Sequence, residues 1–214
     1  MKEFLKRLIS SIILISLILF VIAKGTIFLN LFILICLLIS LYEWHLMKMN
    51  KIYYFIGIIF LFLSFFSVYR LTNYEVDYSH FIFILLICVS TDIGGYFFGK
   101  IFKGKKLTKI SPNKTYSGMF GSYILSYIIS YIFLKFTNIF TYSSFSQISI
   151  IIFIFFISSI SQIGDIIISY FKRKSKVKNT GNIIPGHGGL IDRIDGMIFA
   201  FPLGYLFLTL VNLK

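Results

Sequence analysis

The stretch "QISIIIFIFFISSISQIGDIIISYFKRK", residues Gln147–Lys174, is an almost unbroken apolar run with one carboxylate, Asp165, set into it and a cationic cluster at its end. Between Phe136 and Phe171, Asp165 is the only formal charge. An α-helix rises about 1.5 Å per residue and needs roughly 20 mostly apolar residues to cross the hydrocarbon of a bilayer. Residues 147–171 meet that requirement and read as a membrane span, with the polar text before them, "TNIFTYSSFSQ", as a loop. Working outward, apolar segments of similar length lie at 8–23, 26–42, 52–69, 79–99, 117–135 and 195–213. The expected architecture is an all-α, polytopic integral membrane protein with about seven transmembrane helices.

Composition agrees. Of the 214 residues, 57% are hydrophobic and only 14% charged, and the mean hydropathy is +0.88, which excludes an ordinary soluble domain. The start, "MKEFLKRLISSIILISLILFVIAKG", has the basic and apolar parts of a signal peptide without a convincing small-x-small cleavage site, and reads as a retained first helix. Cys36 and Cys88 sit inside apolar runs with no metal-site or disulfide spacing and read as packing residues. One integral domain, 1–214, is expected, with N-terminal spans at 1–78 and the functional helices and loops at 79–214.

Charge sets the orientation. With the amino terminus inside, 17 of the 21 Lys and Arg residues fall on one side, leaving only Lys24, Arg70, Lys135 and Lys214 on the other. The positive-inside rule then places the amino terminus in the cytoplasm and the carboxyl terminus outside. The two basic loops, 100–116 and 172–193, face the cytoplasm together. Many of their lysines serve topology and attraction to anionic membrane lipids, worth about 1 kcal/mol each; no nucleic-acid partner is expected.

The acids carry more information because there are only eight. Glu3, Glu75 and Asp77 read as surface charges, leaving Glu43, Asp92, Asp165, Asp192 and Asp195. A carboxylate at membrane depth costs about 2.5–3.5 kcal/mol or more, so it pairs, lines a wet cavity or binds an ion. Asp165 precedes Lys172 by seven residues and Asp92 precedes Lys100 by eight, which puts each roughly 10–12 Å below its basic loop. Asp192 and Asp195 share a face if the seventh helix begins there. With Asp165, beside the flexible Gly164, they form an oxygen set suited to Mg²⁺ or another divalent cation bridging to phosphates. A plain charge pair at a helix start, offset by Arg193, accounts for their spacing equally well. The preceding "PGHGG" adds Gly186, Gly188 and Gly189, whose backbone amides can approach an anion where a Cβ would obstruct, and His187, a phosphate donor or proton carrier or simply a solvated loop histidine. The first basic loop has a comparable opening in "SPNKTYSG", around Lys114 and Thr115.

These pieces together carry a resemblance. The run "SYFKRKSKVKNTGNIIPGHGGLIDRIDG", Ser169–Gly196, resembles the signature of the phosphatidate cytidylyltransferases, the CDP-diacylglycerol synthases. The matching elements are Ser169, Lys172-Arg173, Lys178, Pro185, His187-Gly188-Gly189, Asp192-Arg193 and Asp195. "STDIGGYFFGKIFKGKKL", "KISPNKTYSG" and "SQIGD" agree in order, so the similarity covers roughly Ser90–Gly196. Glu43-Trp44 is similar to an acidic-aromatic pair at a comparable place in that family. The chain departs from the family at Asn179, where an aspartate is usual, and in having fewer amino-terminal helices than many members.

The resemblance implies the reaction CTP plus phosphatidic acid to CDP-diacylglycerol plus pyrophosphate, in phospholipid biosynthesis at the inner membrane, with the site open to the cytoplasm. It implies catalytic roles for Asp165, Asp192, Asp195, Lys172 and His187, with Mg²⁺ on the three aspartates. Substrate contacts are expected from Asp92, Lys114, Arg173, Lys178, Gly188, Gly189 and Arg193, and a homodimer is a further expectation. A CTP-using lipid kinase of related fold keeps the same basic loops and acids but releases CDP. A non-enzymatic ion transporter accounts for Asp92 and Asp165 but not for "PGHGG". The DG…AR…G…D…D pattern of a CDP-alcohol phosphotransferase is missing.

Overall fold

The computed structural model describes residues 13, 16–73, 78–137, 139–140, 146–184, 186 and 188–212. Numbered from Thr26, the helices are α1 Thr26–Leu46, α2 Lys51–Asn73, α3 Ser79–Phe102, α4 Tyr116–Phe136, α5 Gln147–Lys174, α6 Ile191–Ile194 and α7 Met197–Asn212. The first five are long and apolar enough to cross a membrane. Their edges lie within a few residues of the apolar segments, since an isolated helix is the only way an apolar run can satisfy its own backbone in lipid. The protein is therefore an all-α, multi-pass membrane protein. The first expected span, 8–23, falls largely outside the described residues, although residues 16–24 are helical.

The last expected span differs from a continuous helix starting at Asp195. A single turn, α6, is followed by a break at Asp195-Gly196 and then by α7, 16 residues long and interrupted by Pro202. The break has two local causes: glycine is a poor helix former, and Asp195 Oδ1 accepts from the Gly196 amide at 2.9 Å, a local bond that competes with the helical pattern. At about 24 Å, α7 is shorter than a typical hydrocarbon thickness of about 30 Å.

Helices α3 and α4 form the tightest pair, and their glycines explain it. A Cβ at Gly94 would lie 2.6 Å from the Gly121 carbonyl oxygen, and one at Gly118 would lie 2.6 Å from the Gly95 carbonyl oxygen. Small residues let two membrane helices approach backbone to backbone, where packing rather than hydrophobicity drives association. Buried hydroxyls then stitch in α5: Thr91 donates to Ser158 Oγ at 2.8 Å, and Ser122 donates to the Thr91 carbonyl at 2.7 Å. Helix α7 packs against α2, α3 and α5. Phe83, Ile84, Ile87, Phe153 and Ile157 form the sealed core between α3 and α5, away from the polar end. Cys88 is buried there and Cys36 half-buried; both are free.

Gly164, expected to be a flexible point, is a buried helical residue of α5. A Cβ there would meet Phe199 at 2.7 Å and the Asp195 carbonyl at 3.1 Å, while one at Gly196 would meet the Ser161 carbonyl at 2.8 Å. Its function is close approach: the break between α6 and α7 rests directly on α5, which brings Asp195 beside Asp165.

Candidate active site

The basic loop between α3 and α4 is ordered by its own backbone. Leu107 donates to the Lys114 carbonyl at 2.8 Å and Tyr116 to the Lys105 carbonyl at 3.1 Å, and the Thr115 side chain caps α4 by accepting from the Gly118 amide at 3.1 Å. This turns Lys114 inward. Its Nζ lies 2.6 Å from Asp165 Oδ2 on α5 and donates to the Gln162 carbonyl at 3.1 Å. Around this pair opens a cavity of about 280 Å³, lined by Thr91, Asp92, Gly95, Lys114, Thr115, Ser122, Gln162 and Asp165 among others. The carboxylates of Asp92, Asp165 and Asp195 are close enough to repel one another; Lys114 and Arg193 oppose the charge on Asp92, and Lys172 that on Asp195. Three acids and three cations from α3, α5, α6 and two loops thus converge at one end of the bundle.

The second basic segment is folded around Asp192. Its Oδ1 accepts from Lys172 Nζ at 2.8 Å; its Oδ2 accepts from the amides of Thr180 at 2.8 Å and Gly189 at 3.0 Å, with the Thr180 hydroxyl 3.2 Å away. Burial raises the Asp192 carboxyl, but Lys172 and the two amides outweigh it and hold the group below the usual carboxylate range. Gly188, with φ of 87°, exchanges hydrogen bonds with Ile184 (2.9 and 3.2 Å) to close the turn. The amides of Gly188 and Gly189 therefore point into the loop itself. His187 and Pro185 lie outside the described residues.

The expected site residues divide into three groups. Asp92, Lys114 and Asp165 line one cavity, with Asp195 and Arg193 electrostatically joined to it. Asp192, Lys172, Gly188 and Gly189 form an internally bonded loop beside it. Arg173, Lys178 and Asn179 are exposed. The residue whose importance the sequence understated is Glu43. It is 0% exposed at the end of α1 and accepts from the amides of Leu190 (2.7 Å) and Ile191 (2.9 Å) and from the Thr180 hydroxyl (2.9 Å). An acid buried in an apolar run demands such partners, but nothing local says they lie 137 to 148 residues further on.

Among the described residues no three Asp, Glu, His or Cys side chains close on one point as a metal cage. The donor set still suits Mg²⁺, which takes one or two carboxylates and fills its octahedron with water and substrate phosphates. Asp92 and Asp165, hard oxygen donors that repel each other across the cavity, supply that chemistry. Asp192 Oδ2, already accepting from two backbone amides, has less to offer a cation.

Fold and site together define a multi-pass membrane protein that gathers carboxylates and cations at one end of its helices. The chain belongs to the Cytidylyltransferase family, whose sequence profile matches residues 48–211. It is 36% identical over 138 residues to the phosphatidate cytidylyltransferase of Haemophilus influenzae, covering 62% of this chain and 48% of that protein. It is 32% identical over 149 residues to that of Bacillus subtilis, covering 69% of this chain and 53% of that protein. It is 35% identical over 205 residues to that of Rickettsia typhi, covering 92% and 88%. The chain thus aligns with about half the length of the first two relatives and with most of the third.

Proposed function

We propose that the protein is a phosphatidate cytidylyltransferase of the cytoplasmic membrane, joining CTP and phosphatidic acid into CDP-diacylglycerol with release of pyrophosphate on the cytoplasmic side. The observation that carries this reading is the convergence of Asp92, Asp165 and Asp195 with Lys114, Lys172 and Arg193 in a chain of this family. An oxygen of the lipid phosphate attacks the α-phosphorus of CTP, the new P–O–P bond forms, and the bond from the α-phosphorus to the α,β-bridging oxygen breaks, its electron pair leaving with pyrophosphate. No covalent work falls on the protein. Its task is alignment of two polyanions and neutralisation of the charge they bring together.

Lys114 is held by Asp165 in the wall of the cavity and is placed to exchange that partner for a phosphate oxygen. Lys172, oriented by Asp192, offers a second cation next to Asp195. At about 280 Å³ the cavity is at the small end for ligand sites, the size of a phosphate cluster rather than a whole nucleotide with its lipid. The base and the acyl chains would therefore extend beyond it. Mg²⁺ would be held by Asp92 and Asp165, with Asp195 in support, and would withdraw charge from the phosphates when bound. Asp192 acts on Lys172 and on its own loop.

Phosphatidate-dependent release of pyrophosphate from CTP by the purified, detergent-solubilised protein tests the reading. Release is expected with Mg²⁺ and is lost in Asp165→Asn. CDP release instead would make the protein a lipid kinase, and no turnover of CTP would leave an ion-conducting role as the better account.

A further inference from the structure

The buried end of α1 reaches the loop that carries Asp192. Glu43 is fully enclosed, and two glycines make room for it: a Cβ at Gly181 would lie 2.8 Å from Glu43 Oε1, and one at Gly189 would lie 2.6 Å from Glu43 Cδ. No cation pairs with Glu43 among the contacts described; its charge is spread over the amides of Leu190 and Ile191 and the Thr180 hydroxyl. Hydrogen bonds to an ionised acceptor are roughly twice as strong as neutral ones, which suits holding a backbone segment in one place. The neighbouring Trp44 fixes the approach. Its Nε1 donates to the Tyr54 carbonyl at 3.1 Å, and its ring meets Phe171 edge-on at 5.5 Å.

Thr180 links the two acids. Its hydroxyl lies between Glu43 Oε2 (2.9 Å) and Asp192 Oδ2 (3.2 Å), and its amide donates to the same Asp192 oxygen. Asp192 in turn holds Lys172. A continuous chain therefore runs from Glu43 through Thr180 and Asp192 to the Lys172 ammonium, joining α1, the loop, α6 and α5. We propose that Glu43 is a positioning residue of the transfer site, fixing the backbone of residues 189–191 and, through Thr180 and Asp192, the place of the Lys172 ammonium. It touches no substrate. The role of Lys172 toward phosphate rests on the function proposed above; the anchoring of the loop does not.

The test compares wild type, Glu43→Gln, Thr180→Val, Asp192→Asn and the double variant Glu43→Gln/Asp192→Asn as full-length protein in detergent. Glu43→Gln keeps shape and one acceptor but removes the charge, and Thr180→Val removes only the bridging hydroxyl. Backbone amide exchange over residues 180–191 should accelerate at least tenfold in Glu43→Gln while peptides from α3 and α4 stay unchanged. The KM for CTP should rise five- to tenfold, because a displaced Lys172 meets the phosphates less well; simple loss of folded enzyme would lower the maximal rate and leave KM alone. The double variant should show little more than the Asp192→Asn effect, since both act through one chain of contacts. Wild-type exchange and wild-type KM in both Glu43→Gln and Thr180→Val would overturn the proposal, as would fully additive losses. If Glu43→Gln does not fold, Thr180→Val alone decides by the same two readouts. If the wild type makes no CDP-lipid, the function reading fails, and the exchange rates still decide whether Glu43 anchors the loop.

Discussion

Replacing Asp165 and Asp192 with asparagine separates two kinds of carboxylate that look alike in the sequence. Asp192 accepts three hydrogen bonds, from Lys172 Nζ at 2.8 Å and from the amides of Thr180 and Gly189, with the Lys172 and Asp192 side chains only 12% and 5% exposed. An asparagine there can turn its oxygen toward Thr180 and Gly189, which leaves its NH₂ against the Lys172 ammonium. The charge-assisted bond is worth about 1.5–3 kcal/mol, and breaking one side of a buried ion pair costs up to about 3–5 kcal/mol. A value of about 3 kcal/mol corresponds to roughly a hundredfold in the equilibrium that keeps the loop closed. Asp165 differs. Its side chain is 27% exposed and that of its partner Lys114 23%, and its charge is opposed by Asp92 and Asp195. Losing that pair costs less than losing a buried one, though more than the ~1 kcal/mol of a fully exposed pair, and the relief of repulsion offsets part of it. Asp192→Asn should therefore lower the detergent melting temperature and accelerate amide exchange over 180–191 roughly a hundredfold. Asp165→Asn should melt near wild type and lose turnover by at least a hundredfold. Wild-type exchange in Asp192→Asn, or a larger melting loss in Asp165→Asn than in Asp192→Asn, would refute the division of roles.

Further expectations follow from the same contacts. Because the Asp192 carboxyl is held below its ordinary range in the folded protein, its contribution to stability is complete above the unfolded value of about 3.9 and is lost as pH falls through the folded value. The melting difference between wild type and Asp192→Asn should accordingly be constant from pH 8 to about pH 5 and shrink only on further acidification. Lys114→Ala should reduce kcat/KM for CTP by at least a hundredfold, with Lys114→Arg recovering part of it, as read from pyrophosphate release. Gly188→Ala should disrupt the loop, because φ is 87° and the new Cβ would lie 2.7 Å from Asp192 Oδ2; rapid exchange at residues 184–189 is the readout. Gly94→Ala should force α3 and α4 apart by pressing on the Gly121 carbonyl at 2.6 Å, and should lower the melting temperature by several degrees.

Apolar run length was enough to locate α1 to α5, because in lipid each such run must close its own hydrogen bonds. The same logic marked Asp92 and Asp165 as cavity residues, and Lys114 joins them through a turn its own loop builds. Three features were not legible. The close seating of Gly196 on Ser161 of α5 is a contact that no local pattern announces. The spacing of Asp192 and Asp195 put both on one helical turn, but did not show that Asp192 would be taken up by Lys172 and the amides of Thr180 and Gly189 while Asp195 faces Asp165. Glu43 was visible as a costly acid, yet its partners belong to the other end of the chain. Local periodicity speaks for elements; long-range capping of one loop by another helix has no periodic signature.

The most direct measurement follows the two ends of CTP separately, using nucleotide labelled at the α-phosphorus in one reaction and at the γ-phosphorus in another, each with phosphatidic acid, Mg²⁺ and purified protein. The account predicts that the α label passes into the lipid phase as CDP-diacylglycerol while the γ label appears only in water-soluble pyrophosphate. A γ label in the lipid phase, or an α label that never leaves the aqueous phase, would contradict it.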